Sequence, residues 1–124
     1  MAIDSRLHPR IKITCKLASV DTETGVDGFS LGDTKRIKAE VFDLSIGGMG
    51  LLLNYFLPKG LQIKLLVDGK CFNSDKEIML KAEVRYCITL KANRYKCGIR
   101  FTDISEENKN IIVNFIASHK KNAS

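Results

Sequence analysis

The sequence contains no tryptophan, only two prolines and two histidines, and aromatic residues make up 7% of its 124 residues. No stretch approaches the roughly 18 consecutive apolar residues that a membrane-spanning helix needs. The first residues also lack the apolar core of a secretory signal peptide. These absences predict a cytoplasmic protein without a membrane span.

The motifs of the common enzyme classes are missing as well. The chain has no H-E-x-x-H, no P-loop lysine motif and no G-x-G-x-x-G. Around Ser45 the pattern G-x-S-x-G is broken, because Asp43 stands where the first glycine is required. The two histidines, His8 and His119, lie near opposite ends of the chain. We therefore predict a binding protein rather than an enzyme, with no catalytic residues, no enzyme cofactor and no metal.

Four cysteines occur without any C-x-x-C pair, which argues against a zinc ribbon or a thioredoxin-type site. They are Cys15, Cys71, Cys87 and Cys97. Three of them sit in strand-like apolar patterns, and a cytoplasmic location disfavours disulfides. We expect these cysteines to be small buried hydrophobic residues with reduced thiols.

The chain is basic, with 20 lysines and arginines against 14 aspartates and glutamates and a formal net charge of +6. Such a surplus favours an anionic partner: a nucleotide, a nucleic acid or an acidic membrane. Residues 18–34 depart from this background, since they hold four acidic residues and no basic one. We interpret them as a solvated loop, or alternatively as an electrostatic lid that holds a basic N-terminal arm until a ligand binds.

Apolar and polar residues alternate in several short segments, the pattern of strands with one buried face. The clearest segment begins at Ile78 and ends at Ile88, and the others cover residues 11–17, 37–44, 51–53, 61–67 and 95–101. After Ser105, a helix-capping residue type, the apolar spacing becomes helical. About six antiparallel strands and a C-terminal helix predict a mainly β barrel or sandwich, with the helix able to cover one opening of a barrel.

Two motifs contain residues suited to an anionic nucleotide. Arg6 and Arg10 form R-x-x-x-R before the first strand, and Asp43, Ser45 and Gly48 form D-x-S-x-x-G at the end of the second. A guanidinium can grip phosphate, pair with guanine or stack on a purine. A carboxylate accepts hydrogen bonds from the N–H groups of guanine, and glycine lets a planar base approach the backbone. Each motif alone is common, but their order around one strand–loop–strand unit is more specific.

In these two motifs the sequence resembles the PilZ domain family, bacterial receptors for cyclic di-GMP. Residues 82–86 and 95–101 also look like the family's paired late strands, and the resemblance extends from about residue 5 to residue 117. It implies a six-stranded antiparallel β-barrel with a C-terminal helix. The expected organisation is a flexible arm over residues 1–10, the barrel and helix over 11–117, and a polar tail over 118–124.

The resemblance also implies a binding mechanism. Arg6 and Arg10 would clamp phosphate and guanine, while Asp43, Ser45 and the backbone near Gly48 would read a guanine edge. The arm would fold over the dinucleotide when it binds and so change the surface offered to a separate, unidentified downstream protein. The expected role is control of motility, biofilm or virulence through protein contacts, without any reaction on the ligand.

The N-terminal arm departs from the family's motif at one position. Ser5 stands where many family members carry a further arginine, which favours one ligand per site over an intercalated ligand dimer. The alternative functions are a small basic β-barrel that binds RNA or single-stranded nucleic acid, and a PilZ-type scaffold that binds no nucleotide. The low aromatic content disfavours nucleic acid, because such barrels stack bases on aromatic side chains.

Overall fold

A computed structural model of the chain describes residues 10–22 and 36–123. In this part of the chain six antiparallel strands close into a barrel in the order β1-β2-β3-β6-β5-β4. The strands are β1 (Ile11–Thr22), β2 (Arg36–Leu44), β3 (Gly48–Leu53), β4 (Gln62–Val67), β5 (Ile78–Lys91) and β6 (Arg94–Asp103). The predicted six-stranded barrel with a C-terminal helix is therefore confirmed.

The barrel interior is filled by the alternating apolar side chains of its strands. In β2, for example, Ile37, Ala39 and Val41 all belong to the buried core, as the alternation in the sequence predicts. Strand β1 is longer than expected, because Ala18 and Val20 continue the inward-facing series. The strand pairs with β2 as far as Asp21 and with β4 as far as Thr22. Residues 18–22 are thus strand rather than loop, and the rest of the acidic segment lies outside the described residues.

A C-terminal helix, α1 (Glu106–Ala123), packs against the barrel. The hydroxyl of Ser105 accepts a hydrogen bond from the amide of Asn108 at 3.1 Å, so the predicted N-cap is confirmed. Ile112 and Ile116 join the barrel core. The helix continues through residues assigned from sequence to a polar tail, since no proline or glycine interrupts its end.

The expectation of reduced thiols is wrong for two of the four cysteines. Cys15 of β1 and Cys71 form a disulfide across 56 residues of sequence. Cys71 lies in a short 3₁₀ helix (Gly69–Phe72) after β4, so the pairing depends on a tertiary contact that no local pattern reveals. Cys87 and Cys97 are free and face each other across β5 and β6 with their sulfurs 2.7 Å apart. Burial and the neighbouring Cys87 raise the pKa of the Cys97 thiol.

No helix within the described ranges is both long enough and apolar enough to cross a membrane.

Candidate functional site at the corner of β2 and β3

A bulge in β2 turns Asp43 toward the outside of the barrel. The register between β2 and β3 shifts between Val41 and Asp43. Val41 and Leu44 are fully buried, whereas Phe42 and Asp43 between them are only partly buried. Two consecutive side chains therefore leave the core, which is the usual effect of a β-bulge.

Arg10 lies beside this carboxylate because it directly precedes β1, where Ile11 pairs with Leu44. Its Nε atom is 3.8 Å from Asp43 Oδ2. Its Nη1 atom donates to the hydroxyl of Ser45 at 3.5 Å. The side chain of Arg10 is 40% exposed, so it remains partly accessible to a ligand. The other arginine of the motif, Arg6, lies outside the described residues.

Ser45 and Gly48 close the tight turn between β2 and β3. The Ser45 amide donates to the Gly48 carbonyl at 2.9 Å, and the Ser45 hydroxyl donates to the same oxygen at 3.3 Å. Ser45 is the buried polar residue among those described, with 4% of its surface exposed. A side chain at Gly48 would collide with the backbone carbonyl of Ile99, so this strand position requires glycine. The structure thus brings together Arg10, Asp43, Ser45 and Gly48.

The second oxygen of Asp43 has no hydrogen-bond partner among the described residues. Oδ1 is buried, whereas Oδ2 faces Arg10. A buried acceptor without a donor costs about 1–3 kcal/mol, and such groups in native structures call for an explanation. Once the carboxylate turns toward the surface, this oxygen can accept a hydrogen bond from an N–H group of a ligand at the corner.

Two glycines extend the corner into a flat floor across the barrel surface. Strand pairing places Asp43, Gly50, Gly98 and Tyr86 in one row over four strands. A side chain at Gly98 would collide with the ring of Tyr86, and one at Gly50 would meet the Phe42 ring and come within 2.7 Å of Asp43 Oδ1. The Tyr86 and Phe42 rings therefore lie close over glycine backbone, an arrangement that compensates for the missing side chains.

Tyr86 shares the electrostatic environment of the corner. Its pKa is raised first by burial and then by the negative charge of Asp43, while the positive charge of Arg10 opposes the rise. On the other side, Lys96 Nζ lies 5.0 Å from the centroid of the Phe42 ring. Sequence reasoning missed Tyr86, Gly50 and Gly98, because only the strand register joins them to Asp43.

The arrangement suits a planar, hydrogen-bond-donating and anionic ligand. It combines a carboxylate acceptor, a guanidinium, a glycine floor and aromatic rings within one exposed corner. Within the described ranges no cluster of histidine, cysteine or acidic residues has the geometry to hold a metal ion.

Comparison with protein families identifies the family of this chain. The PilZ domain family model matches residues 4–118, which is nearly the whole chain. The chain is therefore a member of the PilZ domain family, as the two motifs predict. No curated protein matches the sequence.

Solved structures share the fold at low sequence identity. The Bacillus subtilis inhibitor of motility MotI/DgrA is 14% identical with a TM-score of 0.71, over 93% of this chain and 51% of that one. Escherichia coli YcgR in complex with c-di-GMP is 20% identical with a TM-score of 0.66, over 94% of this chain and 46% of that one. The separate PilZ domain of Escherichia coli YcgR with c-di-GMP is 19% identical with a TM-score of 0.63, over 94% of this chain and 92% of that one. The chain thus spans about half the length of the first two proteins and nearly all of the isolated domain.

Proposed function

We propose that this protein is a receptor for cyclic di-GMP, which binds at the corner of β2 and β3. The observation that carries the proposal is the Asp43 carboxylate, whose buried Oδ1 has no hydrogen-bond partner among the described residues and whose other oxygen faces the guanidinium of Arg10. Cyclic di-GMP offers the complementary groups, since guanine has N–H donors on its Watson–Crick edge and the phosphates are anionic. Membership of the PilZ family supports this assignment, as do neighbours such as YcgR that were solved with c-di-GMP.

In the proposed complex each residue of the corner has a distinct role. Asp43 accepts hydrogen bonds from a guanine edge, and burial of this ion–donor contact makes it selective for a base with N–H donors there. Arg10 contacts phosphate or the face of a guanine, with Ser45 holding the guanidinium in place. The Phe42 and Tyr86 rings, which lie over Gly50 and Gly98, offer a planar base an aromatic surface on which to stack.

The arm supplies the signal in this proposal. Arg6 adds a second cation to the ligand, so residues 1–10 close over the dinucleotide and present a new surface to a separate protein. This is a ligand-driven shift between two populations of the arm.

Calorimetric titration tests the binding proposal. We expect cyclic di-GMP to bind the wild-type protein with a Kd on the order of 1 μM or tighter. Arg10→Ala should weaken binding by about tenfold to a hundredfold, since a hydrogen bond to a charged group contributes about 1.5–3 kcal/mol.

Arg94→Ala is the matched control. It removes the same charge from the tip of the β5–β6 hairpin, where Arg94 pairs with Glu40 at 3.5 Å, and it should leave the affinity unchanged. If both variants lose the same affinity for cyclic di-GMP, the effect of Arg10→Ala comes from the lower net charge and not from a contact at the corner. Binding of RNA with a steep salt dependence and no response to the dinucleotide would favour the nucleic-acid alternative.

Limited proteolysis tests the role of the arm. Trypsin cleaves after arginine, and saturating cyclic di-GMP should slow cleavage after Arg6 and Arg10, because a closed arm does not fit the protease. Mass spectrometry of the products locates each cut. The same ligand should give no protection in Asp43→Asn. Cleavage of the wild-type arm at an unchanged rate in saturating ligand would refute the closure.

A further inference from the structure

The β5–β6 hairpin extends beyond the end of β4 and leaves one edge of β5 without a neighbouring strand. Register pairs between β4 and β5 end at Gln62 and Glu83. Val84 makes the last backbone contacts on that side, with Gly60 and Leu61 at 2.8 and 2.9 Å. Beyond Val84, β5 pairs with β6 alone among the described strands. An unpaired edge of this kind can accept a further strand.

The inner side of the hairpin is supported by the β3–β4 connection. The amide of Leu57 donates to the sulfur of Cys87 at 3.4 Å. The ring of Phe56 packs edge-on against Tyr95, with centroids 6.0 Å apart. The β3–β4 connection therefore packs against the inner face of the hairpin. A partner can approach the outer face.

An apolar stripe occupies that outer face. Tyr86, Ile88 and Leu90 alternate along β5 and are 42%, 49% and 51% exposed. We call these three residues the β5 stripe. Three large apolar side chains that alternate along an unpaired edge can form cross-strand pairs with the side chains of an added strand.

Beyond β4, the β5–β6 hairpin itself carries charged residues of one sign. Residues 84–102 contain five basic residues and no acidic one. Arg94 and Arg100 are paired with Glu40 and Glu83 at 3.5 and 3.3 Å. Arg85 and Lys91, which flank the stripe at its two ends, are exposed and have no carboxylate within 4.0 Å in the described part of the chain.

From these observations we propose that the free edge of β5 binds an extended segment of a partner protein as an added strand. The segment carries apolar side chains opposite the β5 stripe and acidic residues opposite Arg85 and Lys91. Backbone hydrogen bonds supply the affinity, while the apolar pairs and the flanking charges select the partner.

Two other occupants fit the surface less well. A second copy of this chain, paired antiparallel along the same edge, would place Arg85 of one copy beside Lys91 of the other and repel. Single-stranded nucleic acid matches the charge, but Ile88 and Leu90 offer no aromatic face on which a base could stack.

The surface lies next to the proposed ligand site, because Tyr86 belongs both to the β5 stripe and to the glycine floor of the corner. Cyclic di-GMP that contacts Tyr86 would change the orientation or accessibility of this side chain, which is the first residue of the β5 stripe. This coupling rests on the proposed function, whereas docking of the acidic segment does not.

The test uses the full-length protein and a short synthetic peptide in which valine alternates with threonine between acidic ends. Fluorescence anisotropy should give a Kd on the order of 10⁻⁵ M, the range of a small transient interface. The double substitution Ile88→Glu with Leu90→Glu should weaken peptide binding about tenfold or more. Both side chains are half-exposed, so the variant should fold, and circular dichroism checks this.

Met79→Glu is the matched control, since Met79 is also about half-exposed on β5 at 51% but pairs with Leu66 of β4. It should leave peptide binding unchanged. Amide shifts in NMR spectra should move along residues 85–91 when the peptide is added. A wild-type protein that ignores the peptide, equal losses in both variants, or RNA bound through Ile88 and Leu90 would overturn the docking proposal.

Titration of the Ile88→Glu, Leu90→Glu variant with cyclic di-GMP separates the two proposals. Retained dinucleotide binding together with lost peptide binding supports a distinct docking edge. If the wild-type protein binds the peptide but not cyclic di-GMP, the docking edge stands and the proposed receptor function fails.

Discussion

Asp43 illustrates how a single residue departs from the rules that govern the rest of the barrel. Its Oδ1 is buried without a hydrogen-bond donor in the described structure, although the surrounding residues satisfy the usual packing pattern. Such local exceptions are typical of functional sites. The motifs in the sequence predicted the grouping of Asp43 with Arg10, Ser45 and Gly48. They could not predict Tyr86, because its proximity to Asp43 depends on register across three strand pairs.

Gly48 offers a prediction at the residue scale. Gly48→Ala should lower the free energy of unfolding by about 1–3 kcal/mol, because a methyl group would press on the Ile99 carbonyl, which is backbone and cannot move away cheaply. Urea unfolding followed by circular dichroism measures the change.

The neighbouring glycine is the control. A side chain at Gly47 would meet no atom within 4 Å, so Gly47→Ala should change stability by no more than about 0.5 kcal/mol. Equal destabilisation by the two substitutions would contradict the tight approach of β3 to β6 at Gly48.

At the scale of elements, the β-bulges determine which side chains of β2 and β5 face the outside of the barrel. The bulge in β2 sends Phe42 and Asp43 outward together, and a register shift in β5 between Val84 and Tyr86 starts the β5 stripe. The strands themselves were predictable, since a period of two is strong wherever one face is buried. The end of β1 was not, because Ser19 and Asp21 look like loop residues until the pairing partners on both sides are known.

The disulfide gives a prediction at this scale. Cys15 and Cys71 join β1 to the 3₁₀ helix and close a loop of 56 residues. Loop-closure entropy predicts that opening the disulfide lowers the free energy of unfolding by about 4 kcal/mol. Urea unfolding with and without dithiothreitol measures this difference.

The double variant Cys15→Ala, Cys71→Ala should be less stable than the oxidised wild type and insensitive to dithiothreitol. It retains Cys87 and Cys97, so it controls for reduction elsewhere. A wild-type unfolding midpoint that does not change on reduction would show that the two sulfurs are not linked.

At the scale of the whole molecule, the closed barrel brings three separate parts of the sequence to one corner. Arg10 precedes β1, Asp43 ends β2, and Tyr86 lies in the middle of β5. The closed strand order makes these parts neighbours on one surface. The net charge of +6 then favours any anion that approaches. Charge alone does not select guanine, so in the proposed complex that selection depends on the carboxylate of Asp43.

The most direct test of the account compares cyclic di-GMP with cyclic di-AMP on the wild-type protein by calorimetry. The two ligands carry the same charge and differ in the base edge that Asp43 would read. If Asp43 reads the guanine edge, cyclic di-GMP should bind with micromolar or tighter affinity and cyclic di-AMP about tenfold to a hundredfold more weakly. The difference should shrink in Asp43→Asn. Equal affinity for the two dinucleotides, or no binding of either, would contradict the account.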